Sequence, residues 1–228
     1  MFPLLLVSLA VASAARAGSI SGSKHDLSST RTVDSNQVCI FCHSPHNANN
    51  TLGSINAPLW NRFVDTTKVY TVYSSPTMTT TPSNPTGSIS AVCLGCHDGT
   101  IGNATVYGTS GTDKMGLING PGLHDPEGIV QENCPSCHVS LYSNAVKRDV
   151  NFGLNLSNMH PIAVPYPTTA QNAAFHQPPS ATAGWSDVRL FRGKVECPSC
   201  HRVHDPAIVP FLAKANTGSA LCLTCHLK

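Results

Sequence analysis

Cys197-Pro198-Ser199-Cys200-His201-Arg202-Val203-His204-Asp205 is the stretch on which the reading of this chain turns. Two cysteines stand three apart, a histidine follows at once, and a second histidine comes three residues later. On a helical turn, positions i and i+3 share a face, so both thiols can be offered to one planar partner. The spacing occurs five times: Cys39-Ile-Phe-Cys42-His43, Cys93-Leu-Gly-Cys96-His97, Cys134-Pro-Ser-Cys137-His138, Cys197 to His201, and Cys222-Leu-Thr-Cys225-His226. Together these motifs use all 10 cysteines of the 228-residue chain.

Three competing chemistries fail on this pattern. Structural zinc takes four ligands, usually from two CxxC pairs, and gives no reason for a histidine after every second cysteine. A thioredoxin-like redox motif belongs once in a βαβ context, which is absent here. A disulfide framework suits a secreted chain but predicts nothing about histidine. CxxCH is the attachment motif of c-type haem: both thiols add to the vinyl groups of one haem, and the histidine lies under the ring to bind the iron. The chain therefore reads as carrying five c-type haems (haem c, Fe). Their covalent anchors are Cys39 and Cys42, Cys93 and Cys96, Cys134 and Cys137, Cys197 and Cys200, and Cys222 and Cys225. Their proximal ligands are His43, His97, His138, His201 and His226.

Eleven histidines leave six beyond the motifs: His25, His46, His124, His160, His176 and His204. Six spare imidazoles beside five irons are best explained as sixth ligands. Only Met78, Met115 and Met159 lie past residue 17 as methionine alternatives, so bis-histidine irons are expected throughout. Methionine ligation raises haem potential, so all-histidine ligation points to low-potential electron transfer. A catalytic haem needs an open position, and a ligand supply that exceeds demand disfavours an enzyme. His46 and His204 each follow a proximal histidine by three residues, so both imidazoles of each pair leave one side of a turn. One iron carries its axial ligands on opposite faces, so each of these two is expected to bind a haem other than the one beside it. The adjacent carboxylates in His25-Asp26, His124-Asp125 and His204-Asp205 either orient those imidazoles or are ordinary surface groups.

Residues 1–17 are a short apolar run ending Ala15-Arg16-Ala17, which reads as an export signal with a small-x-small cleavage site. The run is too short to cross a membrane, which takes about 20 apolar residues, and no other run qualifies as a transmembrane segment. Covalent haem attachment outside the bacterial inner membrane agrees with export, so a secreted, extracellular or cell-surface protein reached through the periplasm is expected. The formal net charge is only +2, with no basic block, so nothing supports nucleic-acid binding. Charged residues make up 11% and aromatics 6%. Over residues 18–228, five haems leave about 40 residues each, against roughly 100–150 in a usual domain. Cofactors should thus take the place of side-chain cores. The expected fold is a multihaem cytochrome with little regular secondary structure: mostly coil, with short helices and a few short strands wrapped around a haem chain. Residues 18–228 form a single domain in this reading, beginning with a polar arm at 18–38.

Along that domain, Ala57-Pro58-Leu59-Trp60 is an apolar anchor suited to packing on a haem face. Residues 68–74 alternate with β-branched and aromatic side chains and are the best strand candidate. The Ser/Thr/Pro/Asn tract 75–90 reads as an exposed loop, and the Gly-rich passage 99–122 has no helical or strand period. Prolines across 160–180 favour extended chain.

Several stretches resemble a known family. They are Lys24-His25-Asp-Leu-Ser, Cys39 to Ala48, Ala57-Pro-Leu-Trp-Asn61, Cys93 to Thr100, Leu156-Ser-Asn-Met-His-Pro161, Cys197 to Asp205 and Leu221 to His226. They look like the doubled-CxxCH multihaem c-type cytochromes, most closely the OmcE-type subunits of extracellular cytochrome nanowires. The resemblance implies distal-ligand roles for His25, His46, His160 and His204. It also implies a continuous haem chain with alternating stacked and perpendicular contacts, and subunits joined head to tail as a homopolymer that passes electrons to redox partners and extracellular acceptors. Residues from about 120 to 155 depart from the tetrahaem pattern as an insertion carrying Cys134, Cys137 and His138. For that haem His124, in the same insertion, is preferred as sixth ligand over His176. His25 lies on a polar arm 14 residues before Cys39, long enough to reach a neighbouring subunit, and the resemblance favours that reach over a fold-back onto its own chain. The leading expectation is an exported pentahaem electron conductor. The alternatives are a soluble monomeric periplasmic carrier and a multihaem reductase with one open haem.

Overall fold

The computed structural model of the protein describes residues 18–26, 38–43, 57–60, 64–98 and 152–227. Within them regular structure is sparse and most of the chain is coil. Helix α1 spans Ser90–His97, strand β1 Val164–Pro165, strand β2 Lys194–Val195 and helix α2 Cys197–Cys200, with 3-10 turns at Val38–Phe41, Pro85–Gly87, Thr217–Ser219 and Cys222–Thr224. Every described CxxC segment therefore lies on a helical turn, as its spacing requires. β1 and β2 form an antiparallel ribbon in which Val164 faces Val195 and Pro165 faces Lys194. This ribbon delivers the chain directly into α2.

Among the described residues no extended core forms, because the sequence supplies few large apolar residues. Two small clusters do the packing, and α1 serves both. Val64 and Ala91 gather Ala57, Trp60, Ile89 and Val92. Tyr70, Leu94 and Leu156 gather Phe152, Met159 and Ile162. Ala91 and Leu94 are three residues apart on one helical face, which lets so short a helix bridge the two clusters.

Two local expectations are corrected. Residues 68–74 do not form a strand: a single parallel bridge joins Thr71 to Asn155, with Thr71 N–H donating to Leu154 at 2.9 Å and Leu156 N–H donating to Thr71 at 2.8 Å. Val69 is 77% exposed while Tyr70 is buried, and among the described residues no partner strand runs alongside to use the alternation. The 75–90 tract is not a plain exposed loop either. Pro85 and Thr86 are buried in a 3-10 turn and Ser90 opens α1 fully buried, because its hydroxyl finds a buried carboxylate. Prolines keep 160–180 free of helix, as expected. Among the described residues no helix is long and apolar enough to cross a membrane. The expected export signal at 1–17, the 99–122 passage and the part of the expected insertion that carries Cys134, Cys137 and His138 lie outside the described residues.

Candidate haem-binding site

Each described motif seats its histidine in the same way. The histidine N–H donates to the carbonyl of the first motif cysteine, four residues back: His43 to Cys39 at 2.9 Å, His201 to Cys197 at 3.1 Å and His226 to Cys222 at 3.0 Å. His97 closes α1. After the turn the chain extends and pairs with a later segment. His43 bridges Trp60 and His201 bridges Leu212. The two partner segments are copies of one device, Pro58-Leu59-Trp60 and Pro210-Phe211-Leu212, whose central residues are left-handed with φ 56° and 60°. In both, the proline carbonyl accepts a hydrogen bond from the motif imidazole: His43 Nδ1 to Pro58 at 2.9 Å and His201 Nδ1 to Pro210 at 3.0 Å. His160 Nδ1 donates likewise to Pro161 at 3.0 Å. A carbonyl only accepts, so these three Nδ1 atoms carry a proton, and in the neutral ring the lone pair is on Nε2. That is the tautomer a metal-binding imidazole needs, fixed by its outer partner.

Among the described residues, three pairs of imidazoles stand opposite one another. Ring centres are 6.0 Å apart for His25 and His97, 6.0 Å for His43 and His204 and 6.4 Å for His160 and His226. One ion held between two imidazoles sets the ring centres roughly 6 Å apart, since each metal–nitrogen bond is about 2 Å and each ring centre lies about 1 Å behind its nitrogen. The residues present therefore fit a group bound axially by two histidines. Each pair joins a motif histidine to one from a distant part of the chain. Aromatic side chains flank all three: Phe152 stacks by His97 at 5.8 Å, Phe211 by His25 at 4.6 Å, Trp60 meets His43 edge-on at 5.9 Å, and Phe175 lies 4.6 Å from His226. Burial, then the neighbouring His97, His201 and His204, pull His25 down to about 4, so it stays a neutral donor.

The eight described cysteines are free of disulfides. The Cys93 thiol lies beside that of Cys197; this contact and burial push Cys93 well up, and the same contact draws Cys197 down. The attachment points of two motifs thus lie side by side. A buried polar hub fixes that junction. Glu196 accepts from Ser88 Oγ at 2.8 Å and from Ser90 Oγ, and Ser90 Oγ in turn accepts from Cys197 N–H at 2.9 Å. Ser199 completes a capping box with Glu196 at the start of α2. At the other end of α1, the buried Asp98 carboxylate accepts from Tyr70 Oη at 2.7 Å and pairs with Lys68 Nζ at 2.6 Å. Burial pushes Cys225 up to about 11, and its carbonyl accepts from Tyr166 Oη at 3.2 Å and His176 N–H at 2.9 Å.

Of the sequence-predicted residues, His25, His160 and His204 are each brought to a motif imidazole. His176 is exposed and braces the last motif through its backbone; among the described residues no imidazole faces it or His201. His46, His124, Cys134, Cys137 and His138 lie outside the described residues. Within the single chain His25, the residue expected to reach a neighbouring subunit, meets a motif imidazole of its own chain. The arm folds back: Gly18 packs so closely that a Cβ there would sit 2.9 Å from Asp205 Cα, and His25 faces His97. Of the adjacent aspartates, Asp26 and Asp205 are among the described residues. Asp26 accepts from Gly22 N–H at 2.7 Å, His25 Nδ1 is buried without a hydrogen-bond partner, and Asp205 accepts from Ala207 N–H at 3.1 Å. The proline carbonyls, the Ser88–Ser90–Glu196 hub and the Lys68–Asp98–Tyr70 cluster were missed by the sequence reading. The Pro-x-apolar repeat after two CxxCHxxH segments was the signal available for the first of these.

A family model described as the doubled CXXCH motif matches residues 190–228. No curated protein matches the chain. The matched segment holds the last two motifs, which indicate covalently bound c-type haem, and it is consistent with a multihaem c-type cytochrome.

Proposed function

We propose that this haem-binding, electron-carrying chain is an exported pentahaem cytochrome with bis-histidine irons, which polymerises as a subunit of an extracellular electron-conducting filament. The observation that carries the ligand reading is the set of three imidazole pairs at 6.0, 6.0 and 6.4 Å. When bound, haem supplies a one-electron iron couple whose potential follows its axial ligands. In this reading Cys39 and Cys42 anchor the haem held by His43 and His204, Cys93 and Cys96 the one held by His97 and His25, and Cys222 and Cys225 the one held by His226 and His160. The repeated device at Pro58 and Pro210 makes the first and fourth motifs equivalent, so His46 is assigned to His201 as His204 is to His43. Cys134, Cys137 and His138 hold a fifth haem, with His124 as partner.

Proximity makes such a chain conduct. His201 and His204 are one turn apart yet serve different irons, so one short segment ties two haems together. The Cys93–Cys197 contact does the same for the second and fourth motifs. Export rests on the apolar leader at 1–17, and the filament on the resemblance of the haem-bearing stretches to nanowire subunits.

Intact mass tests the haem count. The expected result is five haems on a chain beginning at Gly18; a four-haem mass, or free thiols at Cys134 and Cys137, overturns it. The spectrum should be low-spin throughout, and a high-spin haem in the parent protein would favour a reductase. Electron microscopy of shed surface material should show filaments, whereas a wholly monomeric periplasmic pool would overturn the polymer.

A further inference from the structure

Three of the described imidazoles have their rings set by a hydrogen bond from Nδ1 to a proline carbonyl. His25 has none: its Nδ1 is buried and without a partner. Something else must hold its ring plane. Phe211 lies against it, with ring centres 4.6 Å apart and planes tilted by 31°.

Phe211 occupies an unusual backbone position. Its φ is 60°, and a bulky residue in the left-handed region is an outlier that persists only where its surroundings over-determine it. They do so here. Phe211 O accepts from Arg202 N–H at 2.6 Å, Leu212 N–H donates to Ile208 at 2.7 Å, and Ala213 N–H donates to Cys200 at 2.8 Å. The preceding Pro210 carbonyl takes the His201 Nδ1 proton. Leu59 has the same left-handed backbone in the first copy of the device, with φ 56°, but it is 52% exposed. The backbone conformation thus belongs to the repeat, and the aromatic ring aimed at another imidazole belongs to the second copy.

We infer that Phe211 is a positioning residue that sets the ring plane of His25, so that the Pro210-Phe211-Leu212 turn orients imidazoles destined for two different irons, His201 through a carbonyl and His25 through a ring face. The inference rests on the reading of His25 as a haem ligand. The angle between two axial imidazole planes controls the low-spin ferric EPR g-values, so the role has a readout apart from electron-transfer activity.

The experiment uses the full haem-loaded protein. Phe211→Leu keeps apolar bulk but removes the flat ring; the expected result is an unchanged haem mass with one low-spin EPR component lost from its parental g-values and the others in place. Phe211→Met serves as a second variant if the first does not accumulate, with the same expectation. Phe211→Tyr restores the ring and should restore the component. A Phe211→Leu or Phe211→Met spectrum superimposable on the parent overturns the inference, as does a Phe211→Tyr spectrum as altered as theirs. His25→Ala separates the two levels. If it leaves all haems low-spin, the ligand reading itself has failed; if it creates a high-spin haem while the Phe211 variants change nothing, the positioning role alone has failed.

Discussion

His25 and His97 face each other within one chain, 6.0 Å apart with ring planes at 82°. The first comes from the N-terminal arm and the second closes the helix that carries Cys93 and Cys96. Under the proposed ligation, both imidazoles of one axial pair then belong to the same chain. The dilute, monomeric parent protein should therefore be six-coordinate at the second motif, and His25→Ala should yield one high-spin haem per chain, reversed by added imidazole. Absorption and EPR spectra across a dilution series check this. A parent monomer that shows a high-spin haem which disappears on assembly would instead mean that the arm ligates across subunits.

The pairing of His43 with His204 makes a sharper claim, because His204 is three residues from His201. His204→Ala should open the haem attached at Cys39 and Cys42, and leave the one attached beside it closed. Combining His204→Ala with Cys39→Ser and Cys42→Ser identifies the site: the high-spin signal should vanish with the first haem. A signal that survives in the triple variant assigns His204 to another iron.

The helical turns of the CxxC segments were legible in the sequence because the spacing is a local code, and the four described turns form at Cys39, Cys93, Cys197 and Cys222. Little regular structure was legible from the scarcity of apolar residues. Which distal histidine meets which motif was not, since His204 and His43 are 161 positions apart and only tertiary folding joins them. The strand expected at 68–74 failed for a related reason. Its alternation was real, but Lys68 and Tyr70 turn to a single buried carboxylate at Asp98 and no neighbouring strand pairs with it among the described residues. The Ser-rich tract misled in the opposite sense, because hydroxyls that signal solvent in most loops here satisfy Glu196.

Glu196 is buried at 2% exposure and its acidity is weakened, with burial outweighing the hydrogen bonds from Ser90 and Ser88. The folded state therefore holds the proton more tightly than the unfolded chain, whose carboxyl titrates at the ordinary 4.5. Stability from this group is fully present below that value and is lost as pH rises through it towards the higher folded value. Glu196→Gln removes the titration. The stability of the variant minus that of the parent should rise as pH increases from below 4.5 through the folded value, then level off, as followed by thermal melts in Soret circular dichroism. A difference that stays flat across this window would mean that the carboxylate is not held in the buried hub.

Asp98 places a carboxylate at the C-terminal end of α1, where the helix dipole disfavours negative charge, and its side chain is fully buried, with Lys68 at 15% exposure. Two donors make this tolerable: the Lys68 ammonium at 2.6 Å and the Tyr70 hydroxyl at 2.7 Å. Removing either leaves the charge under-compensated, but by different amounts. Tyr70→Phe takes away one hydrogen bond to a buried charge and should cost about 1–3 kcal/mol. Lys68→Met takes away the countercharge and should cost about 3–5 kcal/mol. Asp98→Asn added to Lys68→Met should recover part of that loss, because the neutral pair no longer buries an unpaired ion. The alkaline limb gives an independent check. Burial first, and then the bond to Asp98, push Tyr70 well above its ordinary 10.0, so the unfolded chain releases the phenol proton while the folded protein retains it. Stability should fall as pH rises past 10, and Tyr70→Phe should flatten that fall. Thermal melts of the three variants at neutral pH, with a parent and Tyr70→Phe series into the alkaline range, measure both effects. A Lys68→Met variant as stable as the parent, or an unchanged alkaline slope in Tyr70→Phe, would show that the end of α1, and with it His97, is not anchored by this cluster.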